Sequence, residues 1–119
     1  VDVAVLDRLQ DLIECTLAFP RPRVQDVSRS VREAMERLPA LRALEQGQRV
    51  AVTAGSRGIS NIALILRTAC EHLRTLGVEP VVVAAMGSHG GATAEGQRDL
   101  LHSLGVTRQA LGGVPVLCG

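Results

Sequence analysis

Two short stretches carry residue types able to do chemistry. Residues 55–58 read Gly-Ser-Arg-Gly, and residues 87–93 read Gly-Ser-His-Gly-Gly-Ala-Thr. An arginine between glycines offers a planar, permanently charged fork that matches a carboxylate or a phosphate. Ser56 adds a hydroxyl beside it, and a loop that opens a helix adds backbone N–H groups. A histidine between glycines has backbone room around it. Histidine also changes charge near neutral pH, which suits a general acid or base. Arg57 and His89 are therefore the candidate anion anchor and candidate acid/base, each with the plainer alternative of a solvated loop residue. Thr93 is placed to cap the helix that follows. Glu95 falls in that helix's first turn, where negative charge is favoured for structural reasons alone.

The elements around these loops follow from local pattern. Arg49-Val50-Ala51-Val52-Thr53 is a short β-rich run closed by Ala54-Gly55. Ser60 is the expected cap of the next helix. Ile62, Ile65, Leu66, Ala69, Leu73 and Leu76 line one side of that helix, and Gly77 ends it. Val81–Ala85 is a continuous apolar run of the kind buried on both faces of a parallel sheet. A helix over about 93–104, stopped by Gly105, and a strand over 114–117 complete the pattern. Residues 48–119 thus read β-α-β-α-β, a Rossmann-like α/β part with a parallel sheet and right-handed crossovers. In such sheets ligands sit at the carboxyl ends of the strands, so both glycine-rich loops are expected to face one crevice. Residues 1–47 read as a helical N-terminal segment: a stripe over 2–19 ended by Pro20 and Pro22, a helix over 23–38 ended by Pro39, then a short connector.

Composition excludes several classes. All 13 basic residues are arginine, and there is no lysine and no tyrosine. No Schiff-base lysine, P-loop lysine or Tyr/Lys catalytic pair can come from this chain. Net charge is +1 and Phe19 is the only aromatic residue. Neither a nucleic acid nor a membrane is expected as a partner. No apolar run reaches membrane-spanning length, and Asp2, Asp7 and Asp11 interrupt any signal-peptide pattern. Cys15, Cys70 and Cys118 show no paired spacing, so three reduced thiols and a cytoplasmic setting are expected. No spacing of His, Cys, Asp and Glu makes a metal site. His72 and His102 lie inside helices near charged neighbours and are expected to be exposed. The start at Val1 and the strand-like tail Val114–Gly119 suggest a piece of something longer.

The first loop, Val-Thr-Ala-Gly-Ser-Arg-Gly-Ile-Ser over 52–60, is close to the glycine-rich turn of an NAD(P)-dependent short-chain reductase. That turn needs three glycines: one for the bend, one for pyrophosphate approach, and one for helix–strand packing. Ala54 and Ser60 replace two of the pattern's glycines. The loop also comes after 48 or more residues instead of near an N-terminus. The more general property that survives is anion binding at a helix start.

Taken together, the two loops resemble the N-terminal domain of the nickel-pincer lactate racemase family, the LarA-like proteins. In that family an arginine-bearing loop, commonly Asp-x-Thr-Arg-Pro, follows one strand. A Gly-x-His loop, with a threonine and a glutamate shortly after, follows the next. Gly55-Ser56-Arg57-Gly58 stands at the first position, and Gly87-Ser88-His89 with Thr93 and Glu95 at the second. The resemblance covers residues 48–119 and implies a divergent branch. It implies racemisation or epimerisation of a 2-hydroxy acid by hydride transfer through a nickel-pincer nucleotide. His89 would be a catalytic acid/base, and Arg57 would position the substrate carboxylate. Ser56, Gly87 and Ser88 would complete the substrate-binding loops. The departures are Ala54 or Gly55 for the aspartate, Gly58 for the proline, and Gly90 for the arginine after the histidine. The family's cofactor-bearing lysine, second histidine and nickel-binding histidine have no counterpart here. The resemblance therefore implies a C-terminal domain as partner and leaves cofactor-binding residues unassigned. A non-catalytic anion-binding α/β module is the alternative.

Overall fold

A computed structural model describes residues 15–20 and 22–119. Its elements are α1 (Val27–Glu36), a 3-10 turn (Pro39–Ala43), β1 (Arg49–Ala54) and α2 (Ile62–Thr75). They continue with β2 (Glu79–Ala84), a second 3-10 turn (His89–Ala92), α3 (Ala94–Ser103) and β3 (Val116–Leu117). The three strands form one parallel sheet in the order β1-β2-β3. The register pairs Val52 with Val82, Ala54 with Ala84, and Val82 with Val116. The α/β alternation expected for 48–119 is thus present, as a small Rossmann-like parallel sheet.

Helices α2 and α3 close in the same way. Gly77 and Gly105 take left-handed φ values of 79° and 76°. In α2, Gly77 N–H donates to Arg74 O and Val78 N–H to Leu73 O; in α3, Gly105 N–H donates to His102 O and Val106 N–H to Leu101 O. This pair of bonds satisfies two carbonyls that a helix end would otherwise leave open. The residue after each glycine then drops into the interior, since Val78, Leu73, Val106 and Leu101 are all buried.

The core lies on one face of the sheet. Ala54, Val82 and Met86 meet Ile62, Leu66 and Cys70 of α2, Leu101 of α3, and Val106, Leu111 and Val114 from the connection to β3. Alternation along a strand sends successive side chains to opposite faces. Arg49, Ala51, Val81, Val83 and Leu117 therefore fall on the other face, where they line a shallow groove of about 220 Å³. Leu117 is 49% exposed, while Ala51 and Thr53 are exposed. The expectation that Val81–Ala85 is buried on both faces is thus corrected. Val81 and Val82 are buried, but Val83 is half-buried and Ala85 exposed, because both α2 and α3 pack on the same side.

Other boundaries shift for local reasons. Asp26 caps α1 by accepting from Arg29 N–H at 2.8 Å, so that helix starts at Val27 and not at residue 23. None of its residues is buried. The cap of α2 is Asn61, not Ser60. Asn61 sits at φ 61° without a side-chain cap bond, and its carbonyl accepts from Ile65 N–H. Asparagine is one of the few residues that tolerates that conformation. The connection to β3 contains a further turn, not expected from the sequence: Thr107 Oγ1 accepts from Ala110 N–H at 3.1 Å, and the turn ends on left-handed Gly112 and Gly113. It delivers Leu111 to the core. The stripe expected over 2–19 lies outside the described residues up to 14, and Cys15–Pro20 form no helix. Among the described residues no helix is long and apolar enough to cross a membrane.

The cysteines separate by environment. Cys15 is exposed, Cys118 half-buried and Cys70 buried. Burial pushes the Cys70 thiol up from its ordinary 9.0, against a smaller lowering by Arg74 and a slight rise from Glu71. The thiolate is the reactive form. Iodoacetamide at pH 8 is expected to label Cys15 first and Cys118 next, with Cys70 last and only on unfolding. Mass mapping of the native chain checks this order, and early Cys70 labelling would contradict the packing. The raised value in the folded state has a pH consequence. Stability is unaffected below the unfolded thiol value and falls as pH rises past it toward the higher folded value.

Candidate functional site

Both glycine-rich loops leave the sheet at its carboxyl edge. Ala54 and Ala84 are paired strand ends, and Ala85 N–H donates to Ala54 O at 2.8 Å just beyond them. The loops meet: Ser56 Oγ is hydrogen-bonded to Nδ1 of His89 across 33 residues of sequence. Ser56 is half-buried, whereas Arg57, Gly87, Ser88 and His89 are exposed. The structure therefore brings together Ser56 and His89 directly, with Arg57 and Ser88 adjacent in their loops. Among the described residues the ion pairs are Arg29–Glu33 and Arg67–Glu71, and Arg57 is in neither.

The His89 loop is built from unusual backbone. Gly87, Gly90 and Gly91 have φ values of 55°, 66° and 66°, and Ala92 takes 54°. Left-handed backbone at alanine costs about 1 kcal/mol, so some strain sits three residues from the histidine. Three contacts hold the loop. Thr93 Oγ1 donates to Gly90 O and accepts from Gly96 N–H, each at 3.1 Å. Gln97, which is buried, donates from Nε2 to Gly87 O at 3.4 Å and accepts at Oε1 from Gly119 N–H at 3.2 Å. Finally, Gly90 and Gly96 press backbone to backbone. A Cβ on Gly96 would lie 1.9 Å from Gly90 O, and one on Gly90 would lie 2.4 Å from Gly96 C. Thr93 caps α3 and Glu95 occupies its first turn, as expected from the sequence.

Gly96 and Gln97 were not among the expected site residues. Gln97 had a signal: it sits four residues before Leu101, as a polar residue on the buried stripe of α3. Gly96 carries no local signal, because the partner that demands glycine there, Gly90, is six residues away in a loop. His102 is exposed as expected. His72 is not: it is half-buried, in a groove it shares with Met35, Leu38, Leu41 and Leu76, because α1 and the 3-10 turn cover that part of α2.

The first loop lacks the constraints of a dinucleotide turn. Gly55 and Gly58 are outside the left-handed region, and a Cβ at either would meet nothing within 4 Å. No close helix–strand approach demands glycine there. A groove of about 710 Å³ lies away from the loops' tips. It runs between α1 and the start of α2, lined by Val24, Val27, Val31, Ser60, Asn61 and Ile65. The Ser56–His89 site is an open shelf on the surface. Among the described residues no group of three or more His, Cys, Asp or Glu could hold a metal ion. Comparison with protein-family models, curated proteins and solved structures returns no match.

Proposed function

We propose that this chain supplies the substrate-facing half of a lactate racemase-like isomerase acting on a 2-hydroxy acid. The observation that carries the reading is the Ser56–His89 hydrogen bond, because it joins the arginine loop and the histidine loop at the carboxyl edge of the sheet. The Arg57 guanidinium binds the carboxylate in two-pronged fashion. His89 exchanges a proton with the hydroxyl oxygen on the neighbouring carbon. A nickel-pincer nucleotide would supply the hydride chemistry, but the residues here do not fit it. There is no lysine for attachment anywhere in the chain, and no cluster of metal-ligating side chains among the described residues. The open shelf points the same way. Proton transfer is efficient where water is excluded, and Arg57, Ser88 and His89 are exposed. A C-terminal domain of a parent protein would both cover the shelf and carry the cofactor groups.

The test is a titration of the ¹⁵N-labelled chain with lactate, followed by backbone amide shifts. Residues 55–60 and 87–92 are expected to move together. Arg57→Gln is expected to weaken binding by about ten- to a hundredfold, the worth of a hydrogen bond to a charged group. Silence of both loops would overturn the reading. The alternative, a non-catalytic anion-binding module, is favoured by the missing cofactor groups. It predicts that propionate, which lacks the 2-hydroxyl, binds as tightly as lactate.

A further inference from the structure

We infer that Ser56 is a positioning residue that fixes which nitrogen of His89 is free to take a proton. This rests on the acid/base reading of His89. The contact is to Nδ1, not Nε2, and among the described residues Nε2 has no hydrogen-bond partner. A neutral imidazole carries one proton, and the bond made by one nitrogen decides the state of the other. If Nδ1–H donates to Ser56 Oγ, the lone pair is on Nε2, facing away from Ser56. His89 then takes a proton from a substrate hydroxyl at Nε2, becomes an imidazolium, and keeps its other proton on Nδ1, donated to Ser56 Oγ. If Ser56 O–H donated instead, Nε2 would carry the proton and His89 could not act as a base there.

The two loops hold the pair together. Ser56 is half-buried on a loop rooted in β1. His89 N–H donates to Met86 O at 3.1 Å, which ties the ring's own backbone to the root of the second loop. The hydroxyl therefore meets a ring whose backbone is already held. The same arrangement moves Ser56 from contacting substrate to orienting the residue that does.

Long-range ¹H–¹⁵N spectra of the full chain at a pH where His89 is neutral read the tautomer directly. His89→Asn assigns the signals among the three histidines. The wild-type ring is expected to be mostly Nδ1-protonated. Ser56→Ala is expected to shift the majority to Nε2–H, and Ser56→Thr, which keeps the hydroxyl, to restore it. A wild-type Nε2–H tautomer would overturn the inference, even if Ser56→Ala failed to fold. An unchanged tautomer in folded Ser56→Ala would also overturn it. The readout needs no substrate, so its failure is distinct from a failure of lactate to bind. If lactate binds and the tautomer is wrong, the site stands and Ser56's role falls.

Discussion

Gly96→Ala is expected to destabilise the chain by about 3 kcal/mol, toward the upper end of what overpacking costs. The new Cβ would sit 1.9 Å from Gly90 O. The opposing atom is backbone, so no side-chain rotamer relieves the clash. Either α3 loses its first turn or the 87–92 loop lifts away from it. The second course breaks the Thr93 and Gln97 bonds that hold Gly90 and Gly87. Urea unfolding of the intact chain measures the loss, and amide shifts of 87–92 locate it. Gly58→Ala is the control. Its Cβ meets nothing within 4 Å and its backbone is not left-handed, so a change within about 0.5 kcal/mol is expected. Equal effects from the two variants would show that the Gly90–Gly96 approach does not hold the loop.

Leu101→Ala is expected to cost about 3–4 kcal/mol, within the range for a fully buried leucine that leaves a cavity. Leu101 is completely buried, as are Val106, Leu111 and Val114 in the same cluster. It also provides the carbonyl that closes α3 onto Val106. The cavity would open where α3, the turn at 107–111 and the root of β3 converge. A loss of this size is a large fraction of the stability of a single small domain. Thermal unfolding should show it as a lowered midpoint. Leu64→Ala is the matched control, since Leu64 is 42% exposed on the same kind of element. It is expected to cost under about 1 kcal/mol, because little transfer energy and no cavity are involved.

Features determined locally were legible in the sequence. The apolar runs of β1 and β2, the glycines that stop α2 and α3, and the Thr93 cap each depend on a few neighbouring residues. From them came the parallel α/β order and the placing of both loops at one edge. Features determined by distant contact were not legible. Whether Val83 is covered depends on which side two helices choose. His72 is half-buried because a separate helix crosses it. Gly96 matters because of a carbonyl in the loop before its helix, and periodicity carries no record of that. The contact of Ser56 with His89 was not legible because adjacency in a motif does not say which way a hydroxyl turns. The turn at 107–111 was not legible because a single turn is too short to show a period.

The shared rung at Ala54 and Ala84 has a consequence for how the two loops can change. Both loops spring from positions one strand spacing apart, about 4.8 Å. The contact between Ser56 and His89 is made across that gauge. Side-chain replacement in either loop can change the chemistry between the loops but not the spacing of their roots. Widening it would require moving the pairing of β1 and β2, and a slip of one residue turns every side chain of a strand to the opposite face. A slip of β1 would carry Ala54 and Val52 off the core face together. The spacing of the two loop roots is therefore written into the main chain, while the side chains the loops carry are free to change around it.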